Sequence, residues 1–323
     1  MKKFLLLPLL LVLGLAASIV WFYSNVQPVS QKSEFKTFLI TKGSSAVKIG
    51  ANLEKAGLIR SALAFKIYTQ FSGTSGRIVA GEFRLSPSLN LFQTVNELIS
   101  GPVEIWVTIP EGLRREEIAE RFAKGLDRDQ SFISSFLEAS GGEEGKLFPD
   151  TYLFPKEASA SAIVKKMTRT FEAKTGEMDV APGLSFEERI ILASIIERET
   201  KTKDERPIVA GILINRLEAG MALQVDATVQ YAVANSRCKS KASGCLWWEP
   251  LIREDLAINS PFNSYKFAGL PPSPISNPGL SSLQAAFMPS QTEYWYYIHD
   301  PEGQIHYART LEEQNANVAK YLR

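Results

Sequence analysis

The stretch ILASIIERET, residues 191–200, constrains the fold most: its first six positions are apolar but for one serine, and it then ends in Glu197 and Glu199. Ser185 followed three residues on by Glu188 is a capping box, which opens a helix by satisfying its first amides. At about 100° per residue, Leu192, Ile195 and Ile196 surround the direction of Glu199, while Ile190 and Ala193 lie nearer Glu197. A helix apolar nearly all round runs through a core, so the fold has to wrap around this segment. Both carboxylates fall near its C-terminal end, where the helix dipole disfavours negative charge. Apolar neighbours disfavour ionisation too, and together these effects raise a carboxyl pKa, the condition a general acid needs near neutral pH. The plainer alternative is an ordinary surface ion pair for each, Glu197 with Lys201 and Glu199 with Lys203, four residues on. Of the two, Glu199 has the bulkier apolar flank.

The N-terminus poses a different constraint. MKKFLLLPLLLVLGLAASIVWFY carries two lysines and then an uncharged run of about twenty residues, long enough to cross a bilayer as a helix. Trp21, Phe22 and Tyr23 sit at its far edge, where aromatics favour the headgroup zone, and Lys2 and Lys3 place the N-terminus in the cytoplasm. The expectation is a single-pass anchor in the cytoplasmic membrane with the remainder on the extracytoplasmic side. The competing reading is a signal peptide cleaved near GLAAS, but the apolar run continues past that point.

With 323 residues and 45% hydrophobic content, the chain can build two or three cores. Its net charge of +1 excludes capture of nucleic acid by bulk electrostatics. Cys238 and Cys245 bracket CKSKASGC, a close pair able to form a structural disulfide in an oxidising compartment. Zinc is not expected, since the 2 histidines, His299 and His306, supply too few further ligands.

Residues 1–23 read as cytoplasmic start and anchor, and 24–35, polar and without periodicity, as a tether. Residues 36–110 look like a small α+β module, with helices over ALAFKIYTQF and LFQTVNELISG and a strand in AGEFRLS. A weak internal echo aligns Gly43 with Gly112, Ile49 with Ile118 and Leu53 with Phe122, each a strand, a glycine turn and an amphipathic helix. Residues 111–160 form a connecting region: helix over 113–140, then EGKLFPDTYLFP as a turn-rich linker. Residues 161–323 form the last domain. Its helices include SAIVKKMTRTFEAKTG, the segment after Ser185, and one from Pro207 to Gly220. EYWYYIHDPEGQIHYART reads as two strands around a DPEG turn, with a final helix from Leu311.

LASIIERET, INRLEAGMALQVDATVQYA, INSPFNSYKFAGLPPSPISNPGLSSLQAAFMP and IHYARTLEEQNANV resemble the YceG-like endolytic murein transglycosylases, essentially along the whole chain from the anchor onward. The resemblance implies an α+β fold: a transmembrane helix, a LysM-like module and a mixed α/β catalytic domain. It implies non-hydrolytic cleavage of nascent peptidoglycan between N-acetylmuramic acid and N-acetylglucosamine, leaving a 1,6-anhydro end. The family's catalytic glutamate falls on Glu199. Gln224, Asp226 and Tyr231 in LQVDATVQY, and Asn263 and Tyr265 in PFNSY, become candidates for binding N-acetyl groups and ring hydroxyls. Asp226 could instead cap the following helix, and Asn263 could stabilise a turn. Trp247, Trp248, Trp295 and Tyr297 could present flat faces to sugar rings, though aromatics at strand positions are more often core. No cofactor or metal is expected; glycan strands, the membrane and glycan polymerases or transpeptidases are the expected partners. Two other readings stay open, a non-catalytic glycan binder that positions a synthase and a hydrolytic muramidase using Asp226 or Glu197 as a second carboxylate. Residues 235–248 depart from the family pattern and receive no role.

Overall fold

The computed structural model describes residues 2–32, 34–179, 182–238 and 245–322, with side chains from residue 12 onward. The chain divides into two compact units, one reaching to Val107 together with Leu153–Glu157, the other made of Thr108–Tyr152 and the chain from Ala158. The fold is mixed α+β with antiparallel strands.

The first unit contains α1 (Lys2–Asn25), β1 (Lys36–Ile40), α2 (Ala46–Lys55), α3 (Ala62–Phe71), β2 (Gly81–Leu85), α4 (Leu91–Ser100) and most of β3 (Glu104–Thr108). β4 (Thr151–Pro155) completes a sheet of order β1-β2-β3-β4, with Phe38 opposite Phe83 and Gly81 opposite Ile105 in antiparallel register. Local signals start the helices: Ser45 and Ser61 accept amides of their first turns, and Asn90 exchanges a capping box with Gln93. Ile49 and Leu53 of α2, Phe65 of α3 and Leu98 of α4 then close a core over Phe38 and Phe83. β4 is a strand where a turn-rich linker was expected: its Tyr152 and Phe154 alternate inward, a period masked in the sequence by flanking prolines.

The tether expected over 24–35 is not free. α1 runs to Asn25, Val26 is 4% exposed within the first unit's core, and its carbonyl accepts the Leu91 amide at 2.9 Å. Pro28 accepts both Nε and Nη2 of Arg60, and the Ser30 amide reaches Pro87. Polarity hid these anchors, because they are made by the backbone. Among the described residues no helix is long and apolar enough to cross a membrane; the span expected from Phe4 includes side chains outside the described set.

The second unit contains α5 (Arg115–Gly125), α6 (Gln130–Ala139), α7 (Ala160–Thr175), α8 (Phe186–Glu199), α9 (Glu205–Glu218), α10 (Asp226–Arg237), a 3-10 turn (Arg253–Ala257) and α11 (Leu280–Phe287). The antiparallel hairpin β5 (Tyr296–His299) and β6 (Ile305–Ala308) follows, then α12 (Leu311–Tyr321). α8 opens on the Ser185–Glu188 capping box, and its Leu192, Ala193, Ile195 and Ile196 are fully buried against residues of α9, α10 and α11. α9 begins two residues before Pro207, which therefore sits in the first turn, where its missing N–H costs nothing. The echo is realised locally: Gly43 and Gly112 both have positive φ (81° and 77°), and Ile49, Leu53, Ile118 and Phe122 are all buried. Within the second unit, Asn277 is a hub. Its Oδ1 accepts the amides of Gly145 and Leu147, each at 2.9 Å, and its Nδ2 donates to the Leu113 carbonyl and to Glu144.

Candidate active site

In the second unit a cleft of about 460 Å3 opens beside the C-terminal end of α8, lined among others by Glu199, Arg216, Gln224, Asp226, Tyr265 and Tyr297. Glu199 is the last residue of α8, and Thr200, whose hydroxyl donates to the Ile196 carbonyl at 2.7 Å, turns the chain away there. The apolar run before it delivers the carboxyl to the cleft only half-buried. Tyr297, projecting from β5, donates its hydroxyl to Glu199 Oε2 at 2.8 Å.

Burial pushes the Glu199 pKa up, and the neighbouring Asp226 charge pushes the same way. The Tyr297 hydroxyl, the Ala227 amide in the first turn of α10 and the Arg198 guanidinium oppose them. The group is thus disposed to hold its proton, while donors stand ready for the anion it leaves. Tyr297 itself is held well above its ordinary value, by burial first and then by the Glu199 charge, so it remains a donor.

Two loops form the facing wall and are zipped together. Gln224 donates its amide to the Ser264 carbonyl at 3.0 Å, and Val225 donates its amide to Ser264 Oγ at 2.9 Å. Gln224 adopts φ 52°, a left-handed backbone unusual for a side-chain-bearing residue and of a kind that collects at functional sites. Asp226 is the first residue of α10; Val225 occupies the capping position, so Asp226 makes no side-chain cap and instead accepts the Tyr265 hydroxyl at 2.6 Å.

Glu199, Gln224, Asp226 and Tyr265 therefore come together, and Tyr231 and Asn263 do not join them. Tyr231 is 8% exposed, its ring beneath the Arg114 guanidinium at 4.0 Å and 4.7 Å from Phe262, which makes it a core residue. Asn263 is fully buried; its Nδ2 donates to the Leu256 and Ile258 carbonyls and its Oδ1 accepts the Tyr265 amide. It acts on the cleft only by holding the loop that presents Tyr265. Glu197 points elsewhere, pairing with Arg206 Nη2 at 2.9 Å and accepting the Gly279 amide at 2.8 Å. Neither glutamate makes the lysine pair of the plainer alternative among the described ion pairs, because α8 ends at Glu199 and the four-residue helical spacing ends with it.

Of the aromatic candidates, Tyr297 reaches the cleft, through its hydroxyl. Trp247 lies under Arg114, and Trp248 is covered by Arg198 at 3.8 Å while its Nε1 donates to Glu117. Trp295 offers its backbone carbonyl to Arg216 Nε at 2.7 Å. Residues 239–244 of the elaborated loop lie outside the described residues; its ends are joined by a Cys238–Cys245 disulfide.

Sequence reading missed Arg216, Tyr296, His299 and Gln314, all of which line the cleft. Arg216 could have been noticed as a buried cation in the apolar stretch GILINRLEAG. It bonds the Trp295 and Leu223 carbonyls, fastening the hairpin that carries Tyr297 and the loop that carries Gln224 to one helix. Among the described residues no group of three or more His, Cys, Asp and Glu could hold a metal ion.

The model of the YceG-like family matches residues 38–320. A Bacillus subtilis (strain 168) protein named endolytic murein transglycosylase is 31% identical over 332 aligned residues, covering 93% of this chain and 88% of that protein. A protein of the same name from Streptococcus pneumoniae serotype 2 (strain D39 / NCTC 7466) is 28% identical, covering 92% of this chain, which spans 60% of that relative's length. A crystal structure of a putative YceG-like protein from Listeria monocytogenes superposes with a TM-score of 0.54 at 30% identity, over 88% of this chain and 99% of that one. With the family pattern running from the first strand to the last helix, the chain belongs to the YceG-like family.

Proposed function

We propose that this chain is a membrane-anchored endolytic murein transglycosylase that cuts nascent peptidoglycan strands between N-acetylmuramic acid and N-acetylglucosamine. The observation that carries the reading is the Glu199 carboxyl, inclined by burial to keep its proton yet open to a cleft and backed by the Tyr297 hydroxyl. Glu199 first gives its proton to the glycosidic oxygen as the bond from the muramyl anomeric carbon to that oxygen breaks. The carboxylate, now stabilised by Tyr297 and the first turn of α10, takes the proton of the sugar's 6-hydroxyl as that oxygen attacks the anomeric carbon. An anhydro ring forms, no water is consumed, and Glu199 ends the turnover protonated as it began. Gln224, Asp226 and Tyr265 are assigned to orienting the sugar by hydrogen bonds.

The uncharged run after Lys2 and Lys3 serves as a single-pass anchor, with the chain that follows it on the extracytoplasmic side and residues 36–110 acting as a LysM-like glycan-binding module. Activity at the bilayer surface puts the enzyme beside the polymerases and transpeptidases that make its substrate.

A hydrolytic muramidase is the second reading, favoured by the presence of Asp226 in the same cleft as Glu199. Mass spectrometry of products from uncrosslinked glycan treated with the full chain in detergent decides between them. The lytic route yields anhydro ends, whereas hydrolysis adds a water at every cut. Undiminished product from Glu199→Gln would remove Glu199 as the acid, and glycan retention without any product would leave only a binding role.

A further inference from the structure

α3 carries apolar residues on two faces. Ala64 and Phe65 point into the first unit's core, while Leu63, Ile67 and Phe71, spaced four apart, form a second stripe on the outside. Leu63 is 54% exposed and Phe71 90%, and Phe92 of α4, 41% exposed, extends the patch. The stripe forms one wall of a groove of about 1020 Å3 whose other wall is α1, through Leu15, Ile19 and Phe22. Among the described residues no charged side chain lines the groove, and its Ser18 hydroxyl is spent on the Gly14 carbonyl at 2.8 Å. Water has little to bond with here, and an apolar patch of this extent marks a surface meant to be covered.

We propose that lipid covers it: the outer stripe of α3 with Phe92 is a membrane-insertion face, seated among the acyl chains of the leaflet from which the anchor emerges. This rests on the anchor reading given above. With Trp21 at the edge of the hydrocarbon, Leu15 lies about 9 Å deeper along the helix, inside a leaflet whose hydrocarbon is roughly half of a 30 Å core. The α3 stripe shares its groove with α1 residues from Leu15 to Tyr23, so it lies alongside the end of α1 that enters the lipid. The first unit cannot lift away from that level, because Val26 is buried in its core and bonded to Leu91. Trp21, 39% exposed, and Tyr23, 70% exposed, fall where interfacial aromatics sit.

The test uses the full chain in nanodiscs of phosphatidylethanolamine and phosphatidylglycerol. Cysteines replace Ile19, Val47, Leu63 and Phe71 one at a time and carry a nitroxide; the native pair is already bridged. Collisional broadening is compared for oxygen, which concentrates in lipid, and a nickel chelate, which stays in water. Positions 63 and 71 are expected to follow position 19, with high oxygen and low nickel accessibility, and position 47, 57% exposed on α2, to show the reverse ratio. Nickel accessibility at 63 and 71 equal to that at 47, with 19 still in lipid, would overturn the insertion face and leave the anchor standing. Nickel access at 19 would overturn the anchor and the insertion face together. Shielding of 63 and 71 from both reagents would mean that protein covers the stripe, and would equally overturn the proposal.

Discussion

Glu199 and its neighbours make opposite demands that can be measured separately. The Tyr297 hydroxyl lowers the Glu199 pKa and the Asp226 charge raises it. Tyr297→Phe should therefore move the alkaline limb of the pH–rate profile to higher pH, with slower turnover because the leaving carboxylate loses a donor. Asp226→Asn should move the same limb to lower pH. A shift of both variants in one direction would contradict the electrostatic account of the cleft. Glu199→Gln should cost about 10²- to 10⁴-fold in rate, the range for a general acid. Its stability should move the other way. Folding raises the Glu199 pKa, so the folded chain binds that proton more tightly, and stability falls as pH rises until Glu199 ionises. The Gln variant lacks this loss, and its melting temperature should exceed wild type at neutral pH while converging with it in acid. Sequence made Glu199 legible because its causes are local, an apolar run meeting a helix end. Tyr297 is 98 residues away and could be read only as an aromatic, not as the partner of that acid. Tyr231 was misread for a helical reason: five residues after Asp226 means about 140° around α10, the face away from the cleft.

At the scale of elements, short-range signals carried well. The Ser185–Glu188 box, the DPEG turn between β5 and β6 and the start of α12 at Leu311 depend on neighbours in the chain, and they stand where the sequence pointed. Features built by partners distant in sequence did not. β4 needed β3 beside it to be recognised as a strand, and the Asn277 hub joins segments 130 or more residues apart. That hub supplies a prediction. Asn277→Ala strips partners from the Gly145 and Leu147 amides, while the Leu113 carbonyl keeps the backbone amide of residue 277, and each buried group left unpaired costs about 1–3 kcal/mol. A loss of about 2 kcal/mol or more is expected by urea denaturation. A loss below about 1 kcal/mol would show that water replaces the side chain and that the Pro-rich segment is held by its own stiffness.

For the whole molecule, the cores of the two units and one covalent clasp set the stability. The Cys238–Cys245 bridge closes a loop with a sequence separation of 7, for which chain entropy predicts about 2–3 kcal/mol. Reductant should lower the melting temperature of the second unit by about 4–12 °C, and an unchanged melt would show that the loop ends are held without the bond. The first unit has its own core and contains no cysteine, so its transition should not move. A larger consequence follows from Val26. A chain on a loose leash explores a hemisphere, and its collisions scale with volume concentration. Under the proposed anchoring, with the apolar run in a bilayer and Val26 locked into the first unit, that freedom would shrink to lateral drift and spin about the membrane normal. Encounter with glycan becomes a search in two dimensions, governed by how densely new strands crowd each patch of surface rather than by how much polymer the compartment holds.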